Sequence, residues 1–506
     1  MKSKWLIVAG LLALGCNENT VSAPTKQQCP DDAQDVELPS GELACKIERP
    51  IVIETGFECR SPLWTNRFDF QTFSICDRRV NLPRIDLDFL NGLDLHALNP
   101  TRFPAIPTAP IQSNALDLLW VIDNSGSMCE EQAQVIEGVR DFVKEIVDAG
   151  IDLQMGITTT QTNPDYTLEP LAKPGVLQAQ PQPVPGFDPT CINGLDANHQ
   201  PIPGDYTPIQ KSLEISRSCV ADLQPGEFEW TTQDIDCAYR QTPGCEIAAL
   251  GCTGDQCTLE MLFPAPQRYR ALPRVFKSST YLAQGFYEFD QMAADLACMA
   301  LVGTRGYGIE KGFEAAQLAL SPSLAGPNGP NAGLIRQDSR VGILFVTDED
   351  DCTGDVDAQG PCGEKACAFA QSDPAWGTLT PVAEVAANLQ TQVGALKGRE
   401  LDPRELLVAS FHAAGGYDGP VPATTVSNQA CTSDPRYEIF PACATSLGTA
   451  YGGRRYGEFL RALPLGNAYP FSPNRVTPID GVVCEGGLFN PLKEVGAFFV
   501  DATAAQ

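Results

Sequence analysis

Asp123, Ser125 and Ser127 stand at alternate positions in Ile122-Asp123-Asn124-Ser125-Gly126-Ser127. A carboxylate and two hydroxyls so close in sequence offer only hard oxygen donors. Such donors suit Mg²⁺ or Mn²⁺, or Ca²⁺, better than Zn²⁺, which favours nitrogen and sulfur. A second acid, Asp348, follows another apolar run in Val346-Thr347-Asp348-Glu349-Asp350. Plainer readings exist for both. Ser127-Met128-Cys129-Glu130 has the spacing of a capping box, in which hydroxyl and carboxylate satisfy the first backbone N–H groups of a helix. Asp348 could be an ordinary loop acid.

Both acids sit where a parallel sheet would present them. Leu116 to Ile122 is apolar apart from Asp117, which suits a strand buried on both faces. A periodic helix follows, with Val135, Val139, Phe142, Val143, Ile146 and Val147 on one side. Leu153 to Thr159 and residues 341–347 predict further strands, and Val382, Val385, Leu389, Val393 and Leu396 a helix leading into a strand at Leu406 to Phe411. Strand alternating with helix predicts an α/β fold, a doubly wound and mostly parallel sheet. Ligands of such sheets bind beyond the carboxyl ends of the strands, at the switch point in strand order.

The rhythm lapses between residues 162 and 274, which are rich in Pro, Gly and Gln and contain Cys191, Cys219, Cys237, Cys245, Cys252 and Cys257. That length exceeds a simple loop and predicts a disulfide-stapled insertion. It follows the second strand, so it is expected on the side that bears Asp123. Cys352 to Cys367 and Cys431 to Cys484 read as further stapled loops.

The 506 residues, 43% hydrophobic and 19% charged, suit a folded chain of two domains or one with large insertions. A net charge of −28 excludes nucleic acid as a partner, because phosphates would be repelled. Lys2 and Lys4 precede ten apolar residues, Trp5 to Leu14, and then Gly15-Cys16. That run is half the length of about 20 residues needed to cross a bilayer, so it reads as a signal peptide. Setting Cys16 aside, the 19 cysteines leave 18, an even number without paired CxxC motifs. An oxidising compartment with disulfides accounts for them. The expected organisation is a signal peptide at 1–15, a flexible polar tether at 16–44, a small cysteine-containing module and linker at 45–112, and the α/β domain at 113–500. Cys29, Cys45, Cys59 and Cys76, with the strand-like Ile51-Val52-Ile53-Glu54, would staple the N-terminal module.

Two resemblances sharpen these expectations. Leu12-Ala13-Leu14-Gly15-Cys16 resembles the lipobox of bacterial lipoproteins, although Ala13 stands where a larger aliphatic residue is preferred. It implies lipidation at Cys16, membrane attachment through the acyl group, and a place in the cell envelope: the outer membrane, facing the periplasm or the cell surface. Asp123-x-Ser125-x-Ser127 resembles the metal-ion-dependent adhesion site of von Willebrand factor type A domains. In that family a threonine from a second loop and an aspartate from a third complete the site. Gly303-Thr304-Arg305-Gly306, opening an expected helical run through Glu310 and Leu320, and Asp348 match those positions, with Glu349 where the family has glycine. The resemblance spans about Ala115 to Phe411, interrupted by the insertion. It implies that Ser125, Ser127 and Thr304 touch the ion, that Asp123 and Asp348 hold it directly or through water, and that a carboxylate from a protein or other macromolecular partner fills the open position. If the first two loops converge, Cys129 and Cys298 lie at the same end of the sheet and a disulfide between them would preorganise the site; alternatively Cys298 is a small core residue.

Enzyme readings fit less well. A haloacid dehalogenase-like phosphatase would need a second acid two residues after its nucleophile, where this chain has Ser125. No Gly-x-Ser-x-Gly surrounds Ser125 or Ser127, and His96, His199 and His412 lack a distinctive context. The expected function is therefore cation-dependent binding without catalysis. The alternatives are a structural envelope protein whose ion only stabilises the fold, or a metal-dependent phosphatase-like hydrolase.

Overall fold

The computed structural model describes most of residues 114–504, apart chiefly from 165–172, 183–206 and 464–488, together with four strands before residue 79. The signal segment, Cys16, Ile51 to Glu54 and the N-terminal cysteine pairings lie outside the described residues. Residues 1–108 and 109–506 form two units. In the first, β1 (Ala33–Glu37) pairs antiparallel with β2 (Leu43–Ile47), and β3 (Trp64–Asp69) with β4 (Ser74–Arg78). The first pair begins within the stretch expected to be a tether.

The second unit is built on β5 (Ala115–Ile122), the apolar run that carries Asp123 at its end. After α1 (Cys129–Asp148), β6 (Asp152–Thr159) pairs parallel with β5 on one side. β7 (Phe276–Lys277) adds a short antiparallel edge beyond β6. The chain then passes through α4 (Phe289–Ala300) and α5 (Gly312–Ala319) and returns as β8 (Arg340–Val346) on the other side of β5. Outside this sheet, β9 (Gly354–Val356) pairs antiparallel with β10 (Gly377–Leu379), with α6 (Lys365–Ala370) between them; β11 (Leu406–Phe411), which follows α7 (Val382–Lys397), then completes the order β11-β8-β5-β6-β7. The order therefore reverses between β5 and β8, the two strands that carry Asp123 and Asp348.

Alternation along β5 divides the core in two. Leu116, Leu118, Trp120 and Ile122 pack with Val135, Val139, Phe142 and Val143 of α1 and with Leu492, Val495 and Phe499 of the C-terminal helix α9 (Phe489–Ala504). The Trp120 and Phe142 rings meet edge-on at 4.9 Å. Leu119 and Val121 face the other way, against Phe313 of α5, Val385 and Leu389 of α7, and Phe459 of α8 (Arg454–Ala462). A period of two with apolar residues on both sides is what a covered parallel strand requires. Among the described residues, no helix is long and apolar enough to cross a membrane.

The insertion is not a bare loop. It contains α2 (Thr207–Ser218) and α3 (Thr232–Arg240), whose Ile209, Leu213 and Ile235 belong to the same core as α1. Cys237 pairs with Cys245 inside it, and Cys219, just after α2, pairs with Cys298 on α4. The expected Cys129–Cys298 bond is therefore corrected. α2 packs against α4, and that contact brings the Cys219 and Cys298 Cα atoms to 5.7 Å. Cys129 is disulfide-bonded to a different cysteine. The Cys219–Cys298 bond closes a span of 79 residues. Replacing both by Ser is expected to cost about 2–4 kcal/mol, read from denaturant melts, mainly by loosening the unfolded chain. Non-reducing peptide mapping of the wild type should recover Cys219 linked to Cys298.

Two disulfides, Cys352–Cys367 and Cys362–Cys431, staple the segment after Asp348. Phe369 and Trp376 make a small separate core beside them.

Candidate cation site

Three loops meet at the switch point. β5 ends at Ile122, and Asp123 continues its ladder by donating its backbone N–H to the Val346 carbonyl at 2.8 Å. The Asp123 side chain is fully buried and both of its oxygens are engaged. Oδ1 accepts from the Ser125 N–H at 2.8 Å and from Thr160 Oγ1 at 3.2 Å, while Oδ2 accepts from Thr347 Oγ1 at 2.7 Å. Burial raises the Asp123 pKa, and these hydrogen bonds oppose the rise.

Ser125 and Ser127 share a hydrogen bond, their Oγ atoms 3.0 Å apart. Ser127 does not cap α1. A 3-10 turn, Gly126–Met128, intervenes, and the helix begins at Cys129 without a side-chain cap. The capping-box reading therefore fails here, and the hydroxyl points to its serine neighbour.

The second loop docks directly on the first. Gly306 donates its N–H to the Asn124 carbonyl at 2.6 Å, and the Thr304 carbonyl lies 3.9 Å from the position a Cβ on Gly126 would take. Gln132 of α1 donates to the Gly303 carbonyl, holding the residue before Thr304. The expected helix after Thr304 starts later, at Gly312. The intervening chain stays open, and Cys352 N–H bonds the Glu310 carbonyl at 2.7 Å. A Cβ on Gly306 would fall 2.5 Å from the Asn124 side chain and 2.6 Å from its carbonyl, so the loops could no longer close. Gly306→Ala is expected to weaken cation binding about tenfold, or about 1.4 kcal/mol, in a calorimetric titration.

Asp348 follows β8 at the third loop, which Tyr451 N–H anchors by donating to the Asp348 carbonyl at 2.6 Å. Its carboxylate is fully buried, yet neither oxygen has a hydrogen-bond partner. The Ser127 hydroxyl is near enough to favour its ionised form without reaching it in hydrogen-bond geometry. Burial, then the Asp123 and Glu349 carboxylates, push its pKa well above the usual range. Thr304 Oγ1 is likewise buried without a partner. A buried polar atom without a partner is satisfied in folded proteins by water, a ligand or an ion. Other buried side chains here, Trp120 and Thr503 among them, share that status, and Asp348 stands out as a carboxylate bare at both oxygens beside two hydroxyl-bearing loops.

The five residues Asp123, Ser125, Ser127, Thr304 and Asp348 thus come from three loops at one end of the sheet. No similarity guides the assignment further. The chain matches no family model, no curated protein and no solved structure. The donor set itself fits a hard cation: three hydroxyls and two carboxylates, two of the five with orphaned oxygens. Among the described residues, no three His, Cys, Asp or Glu side chains form a cage by themselves. An ion here would therefore depend on the hydroxyls.

Sequence reading missed the supporting residues. Thr160 and Thr347, each just past a strand, orient Asp123, and Gln132 fixes the Thr304 loop. Their signal was their place beside strand ends and in the first turn of α1. Asp350 and Asp351, by contrast, are taken up by the protein. Asp350 accepts from Arg455 N–H and Gln371, and burial raises its pKa to about 7. Asp351 accepts from Phe313 N–H, Thr353 and Arg455. His412, beside Ser410, is buried, which lowers its pKa to about 4 and keeps it neutral at pH 7.

Proposed function

We propose that this protein is a lipid-anchored cell-envelope lipoprotein whose α/β domain, of the von Willebrand factor A kind, binds a macromolecular partner through a divalent cation. The observation that carries this reading is the pair of orphaned groups, the Asp348 carboxylate and the Thr304 hydroxyl, buried beside the Asp123-Ser125-Ser127 loop. Buried acceptors without donors are costly unless a cation sits against them.

Asp348, Ser125, Ser127 and Thr304 would hold Mg²⁺, Mn²⁺ or Ca²⁺, with Asp123 joining directly or through water. The ion supplies a Lewis-acidic position for an oxygen of the partner. Ser127, Arg305 and Glu349 are only half-buried, which leaves a solvent-facing side from which a carboxylate could approach. The −28 charge of the chain means that an acidic partner is drawn by the ion rather than by the surface. Membrane attachment rests on the lipobox-like segment ending at Cys16.

Binding without catalysis suits this arrangement better than phosphoryl chemistry. Of the acids a phosphatase would use, Asp348, Asp350 and Asp351, the last two are bonded to Arg455, Gln371, Phe313 and Thr353, and position 125, where the second catalytic acid would stand, is a serine. The deciding experiment is a pull-down from envelope extract with Mg²⁺ or with EDTA, run beside calorimetric titration of the purified protein. Cation binding with an EDTA-sensitive partner supports adhesion. Cation binding that raises the melting temperature with no EDTA-sensitive partner favours a structural ion. Metal-dependent phosphatase turnover lost in Asp123→Ala would replace both.

A further inference from the structure

Glu310 belongs to none of the positions that the adhesion-site pattern supplies. It lies in the open chain between Thr304 and α5, and is 2% exposed. A glutamate in a loop is ordinarily a solvated residue, and nearly complete burial of its carboxyl group needs compensation. Its side chain stands within electrostatic range of Glu349, Asp123 and Asp348. Its Oε1 has no hydrogen-bond partner. The Glu310 carbonyl accepts from Cys352 N–H at 2.7 Å, which seats this segment against the third loop four residues past Asp348, and Glu310 Oε1 and both Asp348 oxygens are buried there without partners.

Two arrangements could make this tolerable. Glu310 could share a proton with Glu349, whose carboxyl group is close enough to hydrogen-bond to it. That arrangement satisfies one oxygen and leaves Oε1 bare in an acidic surround. Alternatively Glu310 is ionised and compensated by a cation held at the junction. Only the second accounts for Oε1 and for the Asp348 oxygens together.

We propose that Glu310 is a third carboxylate of the cation site, acting on the ion through space or an intervening water rather than as a direct ligand. The inference rests on the cation reading above. Direct ligation is disfavoured because, among the described residues, no three acidic side chains converge closely enough to cage an ion. A carboxylate one layer out raises the charge that the ion meets and orients what it carries. Removing groups at that distance typically weakens metal binding about 10–100-fold.

The test uses the full-length protein in detergent, titrated with MgCl₂ and CaCl₂ by calorimetry and melted with and without excess cation. Glu310→Gln keeps the size of the side chain and can still hydrogen-bond to Glu349. It is expected to bind both ions about 10–100-fold more weakly. Its metal-free melting temperature should rise, because a buried acid among acids has gone, while the increment added by the cation shrinks. Glu310→Asp, which keeps the charge, should recover part of the affinity; a purely structural Glu310 would tolerate Asp no better than Gln. Unchanged affinity in Glu310→Gln overturns the proposal and assigns Glu310 to a proton-sharing pair with Glu349. A wild type that binds neither ion, with no change on melting, overturns the cation reading itself and this inference with it.

Discussion

Asp348→Asn is expected to abolish divalent-cation binding and, in the metal-free protein, to increase stability by about 1–3 kcal/mol. Both effects have one origin. The carboxylate is fully buried, neither oxygen has a partner, and Asp123 and Glu349 repel it. Without a cation its ionised form is desolvated with little to offset it, so the folded protein must take up a proton or bear that cost, and an amide of the same shape removes both. With a cation the balance inverts. At a concentration one hundred times Kd the wild type should gain about 2.7 kcal/mol, and the variant nothing. The pH dependence follows from the raised pKa. Between the ordinary carboxyl pKa and the raised one, the folded state holds more protons than the unfolded state, so metal-free stability falls as pH rises through that window. Asp348→Asn should flatten that slope. Chemical denaturation from pH 4 to 8, with EDTA or with excess Mg²⁺, measures all of this. A variant less stable than the wild type in EDTA would mean that the carboxylate has a structural partner and is no ligand.

The opposite end of the same strands supports a prediction of opposite sign. Asp117 is the one acid within the apolar run of β5 and is fully buried. It is paired, unlike Asp348. Arg336 donates to it through its backbone N–H and through Nε at 2.7 Å, and Ser339 Oγ also donates to it. The same guanidinium reaches Asp152 and its carbonyl at the start of β6. Asp117 thus clamps the turn before β8 to the neighbouring strands. Burial raises its pKa, and the Arg336 charge opposes the rise. Asp117→Ala strands three donors and is expected to cost about 3–5 kcal/mol. The low end of that range applies because Arg336 is a quarter exposed and keeps Asp152. Cation affinity should not change, since the clamp and the three loops lie at opposite ends of the sheet. A loss below about 1 kcal/mol in urea melts, or a parallel loss of cation binding, would contradict this account.

The contrast between these two acids explains what was legible in the sequence. Strand runs such as 341–347 and Leu406 to Phe411 matched β8 and β11 to within a residue, because strands covered on both faces must be apolar throughout. Residues at the ends of such runs face the switch crevice, so Asp123 and Asp348 could be placed from pattern alone. Other features depend on docking between distant segments, which leaves no local trace. Cys298 faces α2, and its partner could not be read because α2 and α3 hide in a stretch dominated by Pro, Gly and Gln. The helix expected to follow Thr304 begins only at Gly312, since the chain from 304 to 311 serves long-range contacts: Gly306 to Asn124, Tyr307 to Gln161 and Glu310 to Cys352. Glu310 looked like a helix residue for the same reason.

The central position of β5 also has a mechanical meaning. If Cys16 carries the anchor, tension reaches the domain at Ala115, the start of β5, while a partner held at the cation pulls at Asp123, the other end of that strand. Load that the ion passes to Asp348 enters β8 instead and must cross to β5, the central strand, to reach the anchor. On one side β5 has eight parallel register pairs with β6, from Ala115 with Asp152 to Ile122 with Thr159. On the other it has seven with β8, from Leu116 with Arg340 to Ile122 with Val346. Pulled lengthwise, the β8 ladder is sheared as a set, whereas a force across the sheet would open it one pair at a time. Under such a load the whole β5–β8 ladder must yield at once before the domain comes apart.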